Sequence, residues 1–224
     1  MKMKMNILII AALTAFAVLV IAFHPKPKIS VPPNARADDL IFESCKYKTK
    51  TRIYRAECGT LIVPENRLNP TSRLLALPVK RIHAESDSPR EPIVYLGGGP
   101  GLSNMRFDPP DELLAEHDFI LVGYRGVDGS SVLDCPEYAK ATLGNGKDVF
   151  SDESLTMMME AIRSCRMRLE ALGVDISGYT IPAVVEDMEA ARVALGYERV
   201  NLLSASYGAR RGSRMLLRGQ PRPA

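Results

Sequence analysis

A chain of 224 residues, 46% hydrophobic and 25% charged, is long enough to bury one good-sized core. Its net charge of +3 hides an asymmetry: residues 1–37 and 210–224 hold ten of the 29 basic residues and none of the 26 acids, leaving residues 38–209 with 19 bases against 26 acids. A mildly acidic body, with no basic stripe interleaved with aromatics, excludes a nucleic-acid-binding surface.

The basic amino terminus has its own explanation. Lys2 and Lys4 precede ILIIAALTAFAVLVIAF, seventeen uncharged and mostly apolar residues from Ile7 to Phe23, the pattern of an export signal. As a helix this run is about 25 Å long, against about 30 Å for a bilayer core, a shortfall that tilt and thinning accommodate. The favoured expectation is an uncleaved anchor with the body outside the cytoplasm, touching the membrane through residues 7–23. The alternative is a cleaved signal and a secreted protein; ARA at Ala35–Ala37 fits a cleavage site but lies fourteen residues beyond the apolar run. Residues 1–23 are thus assigned to the signal or anchor, and 24–41, with HPKPKISVPP, to a proline-rich spacer. Export places Cys45, Cys58, Cys135 and Cys165 in an oxidising compartment, where disulfides are expected in one of three pairings. Cys45–Cys58 would close a short loop before the first strand, and Cys135–Cys165 would tie a loop to the helix that follows. No CxxC or HxxxH spacing suggests a metal, and no cofactor is expected.

In the body, CGTLIVPEN (Cys58–Asn66) and RLLALPVKRIHA (Arg73–Ala84) read as two strands joined by a turn. PIVYLGGGPGLS (Pro92–Ser103) and DFILVGYRGVDGSS (Asp118–Ser131) read as buried strands, each running into a glycine loop. Both are continuously apolar, as strands covered on two faces are. Asp152–Gly173 and Ile181–Gly196 have helical periodicity and end on glycines, and Pro182 lies in the first turn of the second. RVNLLSAS is a last buried strand. Strands alternating with helices predict an α/β fold with a mostly parallel sheet.

Two motifs could carry chemistry. In Ser204-Ala205-Ser206-Tyr207-Gly208, small residues flank a serine between a strand and helix-compatible residues, the form of a nucleophile elbow with Ser204 in place of the usual first glycine. GGGPG (Gly97–Gly101) lets backbone N–H groups approach closely, as an oxyanion hole requires. In the α/β-hydrolase arrangement the donors would be Tyr207 and Gly98 or Gly99.

Five segments in order, AECGTLIVPENRLNP, VYLGGGPGLS, LVGYRGVDGSSVLDCPE, SCRMRLEALGVDISGYT and DMEAARVALGYERVNLLSASYGAR, carry a family resemblance. Residues 42–209 resemble the tripeptidyl-aminopeptidase and proline-iminopeptidase branch of the α/β-hydrolase superfamily. The resemblance implies the amino-terminal portion of that fold, with Ser206 as nucleophile, Gly98, Gly99 and Tyr207 as the oxyanion hole, and Ser204 and Gly208 shaping the elbow. It favours the pairings Cys45–Cys58 and Cys135–Cys165, and an aminopeptidase acting on peptide amino termini through an acyl-enzyme. Where relatives more often have Asp-Gln, this chain has Gly123-Tyr124. Arg125 is retained and is expected to brace the loops around the pocket, with a surface arginine as the alternative.

The rest of the pattern is missing. A serine needs a histidine base and an orienting carboxylate, and in this fold both follow the nucleophile. The eighteen residues after Ser206 hold no Asp, Glu or His. His24, His83 and His117 read as solvated or structural, and Asp187 as a surface or capping acid. Residues 210–224, RRGSRMLLRGQPRPA, read as an atypical basic tail. The expectation is a chain truncated, or out of frame near Arg210, and without triad catalysis as written. The rival readings are a catalytically dead fragment that at most binds, and an esterase of the same fold. Substrates would be peptides or small esters and amides.

Overall fold

The structure, a computed structural model, describes residues 29–218 apart from 144, 145 and 147. The expected apolar helix at 7–23, the first part of the spacer and the end of the basic tail lie outside the described residues. Among the described residues, no helix is long and apolar enough to cross a membrane.

Six strands form one sheet: β1 (Leu40–Lys48), β2 (Ile53–Pro64), β3 (Leu74–Ile82), β4 (Arg90–Leu96), β5 (His117–Val122) and β6 (Asn201–Ser204). The helices are α1 (Asp111–Leu114), α2 (Pro136–Leu143), α3 (Asp152–Ala171), α4 (Ile181–Ala194) and α5 (Gly208–Arg218), with a 3-10 turn at Ile176–Gly178. The strand order is β1-β2-β3-β5-β4-β6. The pairings β1–β2, β2–β3 and β3–β5 are antiparallel, whereas β4 pairs in parallel with both β5 and β6.

The expectation of a mostly parallel sheet therefore needs correction: the sheet is mixed, consistent with an α/β-hydrolase-like fold. The reason is β1. Its sequence LIFESCKYK mixes apolar with charged residues and lies on a sheet edge with only Tyr47 buried, so no buried apolar run marks it. It starts at Leu40, and it adds an antiparallel partner ahead of the two early strands. Because β1 exists, Cys45–Cys58 joins two neighbouring strands instead of closing a loop before the first one. Helix α2 likewise has no counterpart among the expected elements. With Ala141 as its single buried residue, it has no apolar stripe to recognise. Cys135, just ahead of α2, bonds Cys165 in α3, so the second disulfide locks a helical hairpin.

Both faces are covered over β2–β5, where alternate residues of one strand serve opposite cores, whereas the edge strand β6, expected to be buried, has two exposed and two half-buried residues. Leu61, Val63, Leu75, Leu77, Val79, Val94, Leu96, Ile120 and Val122 pack with Val184, Met188 and Ala191 of α4. Ile82, Ile93, Phe119 and Leu121 face the other way, toward Tyr47, Tyr54 and Leu114 of α1. At roughly 1.5–3 kcal/mol for each fully buried aliphatic side chain, this double-sided packing is what fixes the strand ends.

The two long helices follow their local signals. Ser151 caps α3 through the Ser154 amide, and Thr180 caps α4 through the Ala183 amide, with Pro182 in its first turn. Gly173 and Gly196, at φ +79° and +76°, follow their ends and take the left-handed conformation that closes a helix.

Candidate active site

The site begins at the carboxyl ends of β4 and β6. These strands are in register from Ile93↔Asn201 to Leu96↔Ser204, and the Ala205 amide extends the ladder to the Leu96 carbonyl at 3.1 Å. The chain then reverses. Gly208 N–H donates to Ala205 O at 2.9 Å and Ala209 N–H to Ser206 O at 3.0 Å, which starts α5.

Ser206, at the apex, has φ +51°. Among the described residues, the only other non-glycine residues at positive φ are Asn34 and Asp38, both of types that tolerate the left-handed region. For serine the conformation costs on the order of 1–3 kcal/mol, and strain of this kind gathers at functional sites. It projects an exposed Ser206 beyond the sheet. The Ser206 hydroxyl makes no hydrogen bond among the described residues.

Glycines make the turn possible. A Cβ on Gly208 would strike the Leu96 and Gly97 carbonyls, so glycine alone lets α5 start directly on the end of β4. A Cβ on Gly98 would lie 2.7 Å from Ser206 Cβ and 2.9 Å from Ala205 O. The glycine loop and the elbow are therefore in contact. Gly99 and Gly101 need glycine for another reason, at φ +65° and +85°. The amides of Gly98, Gly99 and Tyr207 donate to no protein acceptor among the described residues. Ser204 stands where a glycine is usual, and the structure shows what accommodates it: a Cβ on Gly212 of α5 would lie 3.3 Å from Ser204 Oγ. The missing glycine is on the facing helix, and Gly212 was not singled out from the sequence.

No described base approaches Ser206. His117 pairs with Arg90 at the start of β4, and its Nδ1 bonds the Glu91 carbonyl at 2.7 Å. His83 follows β3, 3.6 Å from Glu57 and 3.9 Å from Asp118. Both lie at the amino end of β4, about 20 Å along the strand from the elbow at 3.3 Å per residue. Among the described residues, no cluster of three or more His, Cys, Asp or Glu side chains could hold a metal ion.

Asp187 is neither a surface nor a capping acid. It is 1% exposed and accepts from Arg125 Nε at 2.7 Å, Arg125 Nη2 at 2.6 Å and Arg67 Nη2 at 3.1 Å. Burial raises its carboxyl above the ordinary value, opposed by the two guanidiniums. Arg125, 5% exposed, also donates to the carbonyls of Glu65 (2.6 Å), Gly178 (2.8 Å) and Pro64 (3.1 Å). It thus ties the loop after β5 to the end of β2, the 3-10 turn and α4, which removes the surface-arginine alternative. The overlooked signal was spacing: Asp187 shares a helix face with Val184, Met188 and Ala191.

Helix α5 carries the fold past Arg210. Arg211 is 7% exposed, donates to the Gly97 carbonyl at 3.3 Å and stacks 3.9 Å over the Tyr124 ring. Burial pushes the Tyr124 hydroxyl up to about 12, and it too donates to Gly97 O, at 3.3 Å.

A strained serine at a strand-to-helix turn, against a glycine loop on a mixed sheet, fits a hydrolase family. No protein-family model matches the chain. The chain is similar to a tripeptidyl aminopeptidase of Streptomyces coelicolor, 27% identical over 175 residues, which are 70% of this chain and 31% of that protein. It is similar to a tripeptidyl aminopeptidase of Streptomyces lividans to the same degree, 27% over 173 residues, covering 70% and 32% of the two chains. The match thus spans about a third of the length of these curated relatives. A solved homoserine O-acetyltransferase from Staphylococcus aureus aligns over 81% of this chain and 43% of that one, at TM-score 0.35 and 13% identity, a likeness that carries no argument.

Proposed function

We propose that the chain carries the nucleophile half of an exported serine hydrolase of aminopeptidase type. The observation that supports this most is Ser206 at φ +51°, exposed and in contact with Gly98. In this reading Ser206 Oγ attacks a peptide carbonyl carbon, and the oxyanion that forms is held by the amides of Tyr207 and of Gly98 or Gly99. The amine then leaves with a proton, and water releases the acyl group from Ser206. The proton acceptor and its carboxylate are supplied from outside the described residues. Export rests on the amino-terminal signal pattern and is compatible with the two disulfides; anchoring through residues 7–23 belongs to the same proposal.

The test is labelling of the full chain by a fluorophosphonate, with and without imidazole as an external base, beside Ser206→Ala. Labelling that imidazole accelerates and Ser206→Ala abolishes is the expected result. No labelling under either condition overturns the proposal in favour of a catalytically dead binding fragment, the reading favoured by the absence of any described base near Ser206. Where labelling occurs, turnover of a peptide anilide against a simple ester separates peptidase from esterase.

A further inference from the structure

The glycine loop is built from residues that restrain the backbone least, yet the proposed chemistry needs its amides held in place. Two side chains supply the restraint. Asn104 is 1% exposed. Its Oδ1 accepts from the Gly97 amide at 2.8 Å, and its Nδ2 donates to Tyr95 O at 3.0 Å and Val122 O at 2.9 Å. It therefore pins the far end of the loop to the carboxyl ends of both β4 and β5. Asp128, from the loop after β5, holds Asn104 in turn. Its Oδ2 accepts from the amides of Asn104 at 3.2 Å and Tyr124 at 3.0 Å, and its Oδ1 accepts from Ser103 Oγ at 2.6 Å. Gly123 makes room for this approach, because a Cβ there would lie 2.7 Å from both Asp128 Cβ and Pro78 Cδ.

We propose that Asp128 is a positioning residue that, through Asn104 and Ser103, fixes the Gly98 and Gly99 amides against Ser206. The inference rests on the reading of Ser206 as the nucleophile. Each of the three bonds to the Asp128 carboxylate ends on the framework of the two loops, and a carboxylate accepts three N–H or O–H bonds more strongly than a neutral amide can. Asp128→Asn keeps the shape but removes the charge, and its Nδ2 faces either the backbone amides of Asn104 and Tyr124, which only donate, or the Ser103 hydroxyl, which must then turn to accept. Either way the loop is held less firmly. Oxyanion donors act over 2.7–3.1 Å, and a displacement of about 1 Å costs on the order of a hundredfold in rate.

The experiment compares imidazole-supported fluorophosphonate labelling of the full chain with that of Asp128→Asn, resolving the maximal labelling rate from the probe concentration at half-maximum, with thermal melting beside it. The expected result is a maximal rate at least about tenfold lower, with the half-maximal probe and imidazole concentrations and the melting temperature nearly unchanged; a general weakening of the fold would move melting instead. If Asp128→Asn does not fold, Ser103→Ala, which removes one exposed partner of Asp128, is expected to slow labelling severalfold without affecting melting. Labelling of the parent at Ser206 with an unchanged rate in the folded variant overturns the role of Asp128 and leaves the nucleophile standing. No labelling of the parent overturns both.

Discussion

The two sides of the loop that follows β5 are built on opposite terms. On one side Arg125 and Asp187 are each buried, and Arg125 meets five acceptor contacts that join four segments. On the other side the elbow is strained and exposed, with amides and a serine hydroxyl that meet no protein partner among the described residues. The contrast teaches where a rigid frame has to be. Strain at Ser206 persists only if its surroundings over-determine it, and the satisfied ion pair is what anchors the neighbouring loop and helix.

The largest effect should come from breaking the satisfied side. Arg125→Met removes the partner of a buried carboxylate, and Asp187 is left with Arg67 alone. The expected loss is about 3–5 kcal/mol of unfolding free energy, read by urea denaturation. Arg125→Met with Asp187→Leu should cost clearly less, since no buried carboxylate is left without its partner and the half-buried Arg67 keeps Asp38 at 3.6 Å. If the single and double variants are equally destabilised, the ion pair is not what braces this side. Next is Gly98→Ala on the strained side. Its methyl would meet Ser206 Cβ at 2.7 Å, so fluorophosphonate labelling should fall by on the order of a hundredfold while circular dichroism stays native.

This comparison also separates what could be read in the residues from what could not. The continuously apolar strands β4 and β5, the glycine-closed helices α3 and α4, and the Ser206 turn announce themselves locally. Composition and periodicity report burial and turns, and these elements depend on both. Strand β1 and helix α2 left no such trace, because an edge strand and a short surface helix bury too little. Asp187 was misread for a different reason. A carboxylate in a helix looks solvated until its arginine, 62 positions away, is folded onto it. Asn104 and Asp128 are polar loop residues whose partners become visible only once β4 and β5 lie side by side. Long-range polar pairing has no period, so pattern reading passes over it.

Ser206→Gly turns the comparison into a trade. Glycine relieves a strain of about 1–3 kcal/mol against an added backbone-entropy cost of about 0.5–1 kcal/mol, so the variant should gain up to about 2 kcal/mol of stability while losing all labelling. A loss of stability would mean that the apex is not strained.

The smallest effect is a pH dependence on the satisfied side. Glu65, 1% exposed, accepts from Arg73 Nε at 2.8 Å and Nη2 at 2.5 Å, from the Tyr179 hydroxyl at 2.6 Å and from the Asp175 amide at 3.2 Å. Burial works to raise its carboxyl, but these donors outweigh it and hold the group below its ordinary value. The folded protein therefore binds fewer protons than the unfolded chain around that value. The Glu65 contribution is complete above about pH 4.3, the ordinary glutamate value, and is lost as pH falls through the depressed folded value. Other paired carboxylates, Asp175 among them, weaken in acid as well, so the informative quantity is a difference. The gap in urea midpoint between the parent and Glu65→Gln should be widest near pH 6 and close toward pH 3. A gap that stays constant across that range would show that Glu65 stabilises through packing and neutral hydrogen bonds, not through its charge.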